Sequence, residues 1–152
     1  MQIVSSDTVR TIESAKLLFP QKPIHIAPSL NEIDAGDVSN WRRITFDKRY
    51  PNFFKQFCPK RRFPGGESHL QMFRRQIRFI RALQQKYAES DLVVEVVCHA
   101  GTISSILHYY YKVPLKYYSR FETNNASLTV LSWANAAEPP KLVLFNAEAE
   151  NI

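Results

Sequence analysis

The sequence predicts an α/β protein with a mostly parallel sheet, on three observations. A stretch beginning at Glu67 and Ser68 carries apolar residues at helical spacing. The run Leu92–Cys98 is nearly continuous apolar chain, which suits a strand covered on both faces, as in a parallel sheet. A second helical pattern starts almost at once after that run. Shorter strand-like segments alternate with helices along the rest of the chain.

The elements follow in order. Ile3-Val4 reads as the end of a strand. Ser6 or Asp7 is placed to cap a helix that runs to about Phe19, with Val9, Ile12, Leu17 and Leu18 roughly at helical spacing. Pro20 and Pro23 end it. Ile24–Ala27 reads as a short strand, and residues 28–40 as a polar loop holding Asp34-Ala35-Gly36-Asp37. Residues 41–62 are aromatic and basic, with Pro51 and Pro59 inside, so a short helix and irregular chain are expected. Pro64-Gly65-Gly66 is a turn. In the helix after it, Leu70, Phe73, Ile77, Ile80, Gln84 and Tyr87 form one stripe, with Arg74, Arg75, Arg78 and Arg81 largely off it. Leu92–Cys98 is the second clear strand. The helix after His99-Ala100-Gly101 carries Thr102, Ile103, Ile106, Leu107 and Tyr110 and is limited by Pro114. Ser127–Trp133 and Lys141–Phe145 read as strands.

Composition sets the class. At 152 residues the chain is the length of one domain, taken as residues 1–152. Hydrophobic residues at 45% and charged residues at 22% are ordinary globular values and argue against disorder. Two cysteines, Cys58 and Cys98, make no disulfide framework and point to a reducing compartment. No secretory signal is visible, and no apolar stretch approaches the roughly 20 residues of a membrane span. A cytoplasmic protein without a membrane partner is expected. The net charge of +6 suits a phosphate-bearing partner.

Three residues stand where chemistry could occur. His99 sits where an apolar strand ends and a helix begins, the place where α/β sheets bind ligands. The amides of Ala100, Gly101 and Thr102 would face the same spot and attract an anion. Taken alone, a hydrogen-bonded strand-end histidine is the better reading. Arg10 lies about one turn into a helix after a loop, and a guanidinium binds phosphate oxygens in pairs. The plain alternative is a solvated arginine. Glu67 follows a close turn at a helix start. There it is either a general acid partly removed from water or a helix-capping acid.

Their order is more specific than any one of them. Ser5-Ser6-Asp7-x-x-Arg10, Leu30-Asn31-Glu32-Ile33-Asp34-Ala35-Gly36-Asp37, Phe63-Pro64-Gly65-Gly66-Glu67-Ser68, Val96-Val97-Cys98-His99-Ala100-Gly101-Thr102 and Asn125-Ala126-Ser127 together resemble the histidine phosphatase superfamily, or phosphoglycerate mutase-like family. The resemblance runs from residue 3 to about 133. It implies a three-layer α/β/α fold with a mostly parallel sheet and hydrolysis of a phosphomonoester through a phosphohistidine. Carried over by motif, Glu67 is the proton donor, His99 the second histidine of the pocket, and Arg10, His99 and Ala100 bind phosphate. No metal or other cofactor is implied, and His25, His69, His99 and His108 show no metal-ligand spacing.

One departure is large. The family's Arg-His-Gly motif, which carries the nucleophile on the first strand, occurs nowhere in these 152 residues. The expectation is a chain that lacks that N-terminal strand, as a truncated gene product, and that is inactive alone. Loss of a central strand should leave unpaired edges. Val38 also stands where a bulky residue is expected, and Glu95 interrupts an apolar strand, so it should face solvent or a cation. The short spacing from Gly36 to Glu67 leans to a phosphatase over a mutase, with a small phosphorylated substrate. The rival is a non-catalytic binder of phosphate esters or of nucleic acid, using a basic face with Trp41, Phe46, Tyr50, Phe53, Phe54 and Phe57 interleaved. The absence of a nucleic-acid motif argues against the nucleic-acid form.

Overall fold

The computed structural model describes residues 1–135 and 137–148. The elements are β1 (Gln2–Ser5), α1 (Val9–Leu18), β2 (Ile24–Ile26), α2 (Arg43–Arg49), α3 (His69–Lys86), β3 (Val94–Val97), α4 (Ala100–Tyr110), β4 (Leu128–Ser132) and β5 (Lys141–Ala147). Short 3-10 turns cover Pro28–Leu30, Gly36–Val38 and Leu115–Phe121. The class is α/β, as expected. β1 pairs in parallel with β2 on one side and β3 on the other, giving the order β2-β1-β3. β4 and β5 form a separate antiparallel pair.

The core sits between this sheet and the long helices. Val4, Ala27, Leu30 and Ile80 are buried together, with Phe79, Leu83, Val96 and Ile106 packed against them. Each such aliphatic side chain contributes about 1.5–3 kcal/mol when fully buried. A second cluster joins Val38, Phe46, Phe53 and Phe63. It gives the aromatic segment 41–62 its role. Phe46 and Phe53 are buried, Tyr50, Phe54 and Phe57 are half-buried, and Trp41 alone of the six is exposed.

α3 begins where the sequence places it. The Ser68 hydroxyl accepts from the Gln71 amide at 3.2 Å, and the Gln71 side chain accepts from the Ser68 amide at 2.9 Å. This reciprocal cap stabilises a helix start by about 0.5–2 kcal/mol. The buried face differs from the expected stripe. Met72, Gln76 and Ile80 lie deepest with His69 and Ile77, while Leu70 and Phe73 are half-buried. A polar Gln76 is retained inside because its amide donates to Thr102 Oγ1 at 3.0 Å and to the Asn31 carbonyl at 3.1 Å.

β3 corrects a second expectation. It is half-buried at every position and is not covered on both faces. The reason is its place in the sheet: among the described residues it pairs only with β1, so it is an edge strand. Glu95 is half-buried there, which an edge tolerates better than a central strand.

The helix cap expected at Ser6 or Asp7 is also different. Thr8 is the N-cap of α1 and makes no side-chain cap bond. Ser6 is drawn away by a partner distant in sequence, at the end of the neighbouring strand β3, described below.

Candidate active site

The site lies beyond the carboxyl ends of β1 and β3, with β2 and β3 flanking β1 on opposite sides. The register pairs Ser5 with Val97, and the Ser6 amide donates to the Val97 carbonyl at 3.0 Å. That pairing sets Ser6 beside His99. The hydroxyl of Ser6 is 2.8 Å from Nε2 of His99 and 2.7 Å from the hydroxyl of Thr11.

Arg10, on the first turn of α1, completes the histidine's surroundings. Its Nη2 is 3.0 Å from His99 Nδ1. A guanidinium can only donate, so Nδ1 is an acceptor here. Nε2 therefore carries the ring proton and donates to Ser6. His99 is 7% exposed. Burial and the guanidinium of Arg10 hold it below its ordinary value of 6.5; Glu32 pulls the other way, and Arg75 adds a smaller lowering.

Glu67 stands across a cleft of about 640 Å³ that Arg10 also lines. Two glycines place it. Gly36 and Gly65 have φ of +55° and +66°, and a side chain at Gly36 would strike the backbone of Gly65 and Gly66. The two loops thus touch main chain to main chain. The Glu67 amide donates to the Asp34 carbonyl at 2.9 Å, and the Asp34 amide donates to Glu67 Oε1 at 3.0 Å.

Arg75 binds both oxygens of Glu67, at 2.6 Å to Oε1 and 3.1 Å to Oε2. Its other donors reach the carbonyls of Ser29, Asn31 and Glu32, at 2.8–3.0 Å. With both oxygens accepting, the carboxyl group of Glu67 is held in one orientation.

The helix N-terminus after His99 is occupied by the protein itself. Glu32 Oε2 accepts from the Gly101 amide at 3.0 Å, and Oε1 accepts from the Ile33 amide at 2.9 Å. The Thr102 amide donates to the His99 carbonyl at 2.9 Å. The expected anion nest of Ala100, Gly101 and Thr102 is therefore corrected: an internal carboxylate takes the Gly101 amide and helix geometry takes that of Thr102. Ala100 is exposed and does not line the cleft.

The structure thus joins Arg10 to His99 directly and sets Arg10 and Glu67 around one cleft. None of the four histidines lines it; His99 reaches it through its bond to Arg10. His69 and His108 lie buried in a ring cluster with Tyr118, and burial lowers the basicity of His69. The Asn125-Ala126-Ser127 turn does not line the cleft either. Four further residues contribute: Ser6, read from the sequence only as a helix cap, Arg62, read only as part of the basic segment, and Glu32 and Arg75. Glu32 was visible inside the Leu30–Asp37 block. Arg75 was visible as an arginine off the helix stripe. Neither position alone says what it touches. Among the described residues no three His, Cys, Asp or Glu side chains converge as metal ligands, and no helix is long and apolar enough to cross a membrane.

Residues 1–148 match the family model described as histidine phosphatase superfamily, branch 1. Among solved structures, the mycobacterial glucosyl-3-phosphoglycerate phosphatase in complex with inorganic phosphate is similar, with a TM-score of 0.85 and 23% identity, covering 99% of this chain and 78% of that one. The alpha-ribazole phosphatase from Shigella flexneri is similar at a TM-score of 0.79 and 20% identity, covering 96% of this chain and 73% of that one. A protein from an open reading frame of Mycobacterium tuberculosis is similar at 0.77 and 21% identity, covering 97% and 72%. At such identities the likeness speaks for the fold. A comparison with curated proteins finds no match.

Proposed function

The chain belongs to the histidine phosphatase superfamily, and on that premise we propose that its cleft binds the phosphoryl group of a small phosphomonoester, a phosphatase site whose turnover needs a further, nucleophilic histidine. The observation that carries this reading is the meeting of Arg10 and His99 at 3.0 Å, on the rim of the cleft that Glu67 lines. The donors of Arg10 and the carboxyl group of Glu67 face one space, with the His99 imidazole held against the guanidinium. The donors suit the oxygens of a phosphoryl group, on which charge spreads during transfer.

Arg10 and His99 bind the phosphate, with Arg10 turning from Nδ1 toward the incoming oxygens. In a form that carries an Arg-His-Gly motif, its imidazole nitrogen attacks phosphorus as the ester P–O bond breaks. Glu67 gives its proton to the leaving oxygen. Water then attacks the phosphohistidine, the P–N bond breaks, and Glu67 takes a proton back. The 152 residues hold no Arg-His-Gly, so this chain alone binds phosphate without turnover. The phosphatases among the similar structures act on glucosyl-3-phosphoglycerate and alpha-ribazole phosphate, which supports a small phosphorylated substrate here.

The test is titration of the chain with inorganic phosphate, followed by NMR, beside an assay on p-nitrophenyl phosphate. Saturable binding that disappears in Arg10→Ala, with negligible hydrolysis, is the expected result. Hydrolysis that persists through Glu67→Ala and His99→Ala overturns the assignment. The nucleic-acid reading has less behind it, because Phe46 and Phe53 are buried against each other and not presented for stacking.

A further inference from the structure

We propose that Glu32 is a positioning residue of this site: its carboxylate holds the first turn of α4 through Gly101 and supplies the negative charge that faces the His99 imidazole. The purpose assigned to that charge rests on the phosphate-binding reading above.

Three observations carry the proposal. First, Glu32 Oε2 accepts from the Gly101 amide at 3.0 Å, across 69 residues of sequence, two positions beyond His99. Second, residue 101 has to be glycine for this to happen. Any side chain there would strike the Glu32 carboxylate, and it would also meet the Tyr118 hydroxyl. Third, Glu32 is itself held on both sides. Its Oε1 accepts from the Ile33 amide at 2.9 Å, and its backbone carbonyl accepts from Arg75 at 3.0 Å. A side chain so restrained presents its charge in one place.

The charge has a clear electrostatic task. The groups facing His99 are Ser6 beyond β1, Thr8 and Arg10 at the start of α1, Glu32 on its loop and Arg75 on α3. Two of these are cations and Glu32 is the anion among them. Burial, Arg10 and Arg75 all disfavour a proton on the ring, and Glu32 opposes them. A phosphate-binding imidazole is most useful as a cation, and the Glu32 charge opposes the loss of that proton.

The experiment separates the charge from the contact. Glu32→Gln keeps the length and the acceptor for Gly101 but removes the charge. Glu32→Asp keeps the charge but withdraws it from Gly101. Imidazole titrations followed by NMR are compared in both variants and in the unmodified chain. The expected result is a lower His99 midpoint in Glu32→Gln and one closer to the original in Glu32→Asp. The Gly101 amide resonance should move in Glu32→Asp more than in Glu32→Gln. An unchanged His99 midpoint in Glu32→Gln overturns the proposal, as does an identical response of the two variants. The titration needs no substrate. A chain that shows these shifts but binds no phosphate would refute the functional reading while leaving the electrostatic coupling in place.

Discussion

Arg10 donates to Nδ1 of His99 across 3.0 Å, so a cation and a neutral imidazole occupy each other. A phosphate that enters has to replace this bond with bonds to its own oxygens. Removing the guanidinium should therefore act twice. Arg10→Ala is expected to weaken binding of inorganic phosphate by roughly tenfold or more, from the loss of a charge-assisted hydrogen bond. It should also raise the His99 midpoint, because after burial the Arg10 charge does most to hold it down. Both are read in one NMR titration. A His99 midpoint that stays put or falls would contradict the arrangement.

Acid should destabilise the fold in a defined window. His69 and His99 are both held below their ordinary 6.5, in each case chiefly by burial. The unfolded chain then binds more protons than the folded one as the pH falls below 6.5. Stability is full above that value and is lost progressively beneath it. Urea midpoints measured between pH 7.5 and 5 should fall toward the acid end. His99→Gln and His69→Gln should each flatten the slope.

The buried polar link between α3 and α4 is open to a single test. The Thr102 hydroxyl donates to the Leu30 carbonyl at 2.9 Å and accepts from Gln76 at 3.0 Å, and both side chains are fully buried. Thr102→Val conserves shape and leaves the Leu30 carbonyl without its donor. A loss of about 1–3 kcal/mol by urea denaturation is expected. Thr102→Ser, which keeps the hydroxyl, should recover most of it.

Gly36 carries the contact between the two loops that place Glu67. Its φ of +55° disfavours a side chain, and a Cβ would meet the backbone of Pro64, Gly65 and Gly66. Gly36→Ala is expected to cost more than about 2 kcal/mol. It should also shift the amide resonance of Asp34, which donates to Glu67. Gly65→Ala meets only the Asp37 side chain, in addition to its own φ, and should be milder.

Much of this fold was legible from local pattern. The start of α3 followed from the Pro64-Gly65-Gly66 turn with Glu67 and Ser68, the strand at Val94–Val97 from its apolar run, and the alternation of elements from spacing alone. What escaped was whatever depends on a partner distant in sequence. The burial of β3 could not be read from its composition, because the same valines suit a central or an edge strand. Ser6 looked like a helix cap because its competing partner, His99, lies 93 residues away. The amides after His99 looked free because nothing local says that Glu32 reaches them. Arg10, Glu67 and His99 were recognisable through their motifs, whereas Arg75 and Glu32 acquire meaning only through contacts. Phe46, Phe53 and Phe63 were ambiguous for a different reason: aromatic residues among cations fit a small core and a stacking surface equally well.

Arg75 grips the chain on both sides of a long excursion. It holds the Glu32 carbonyl before the excursion and the Glu67 carboxylate after it, and Asp34 and Glu67 are joined there by backbone as well. The stretch 35–66 is thus a lobe mounted between two fixed posts. The contact of Gly36 with Gly65 and Gly66 closes the lobe at its base, so changes in length at its outer part, residues 39–57, leave the Glu67 carboxylate where Arg75 and Asp34 hold it.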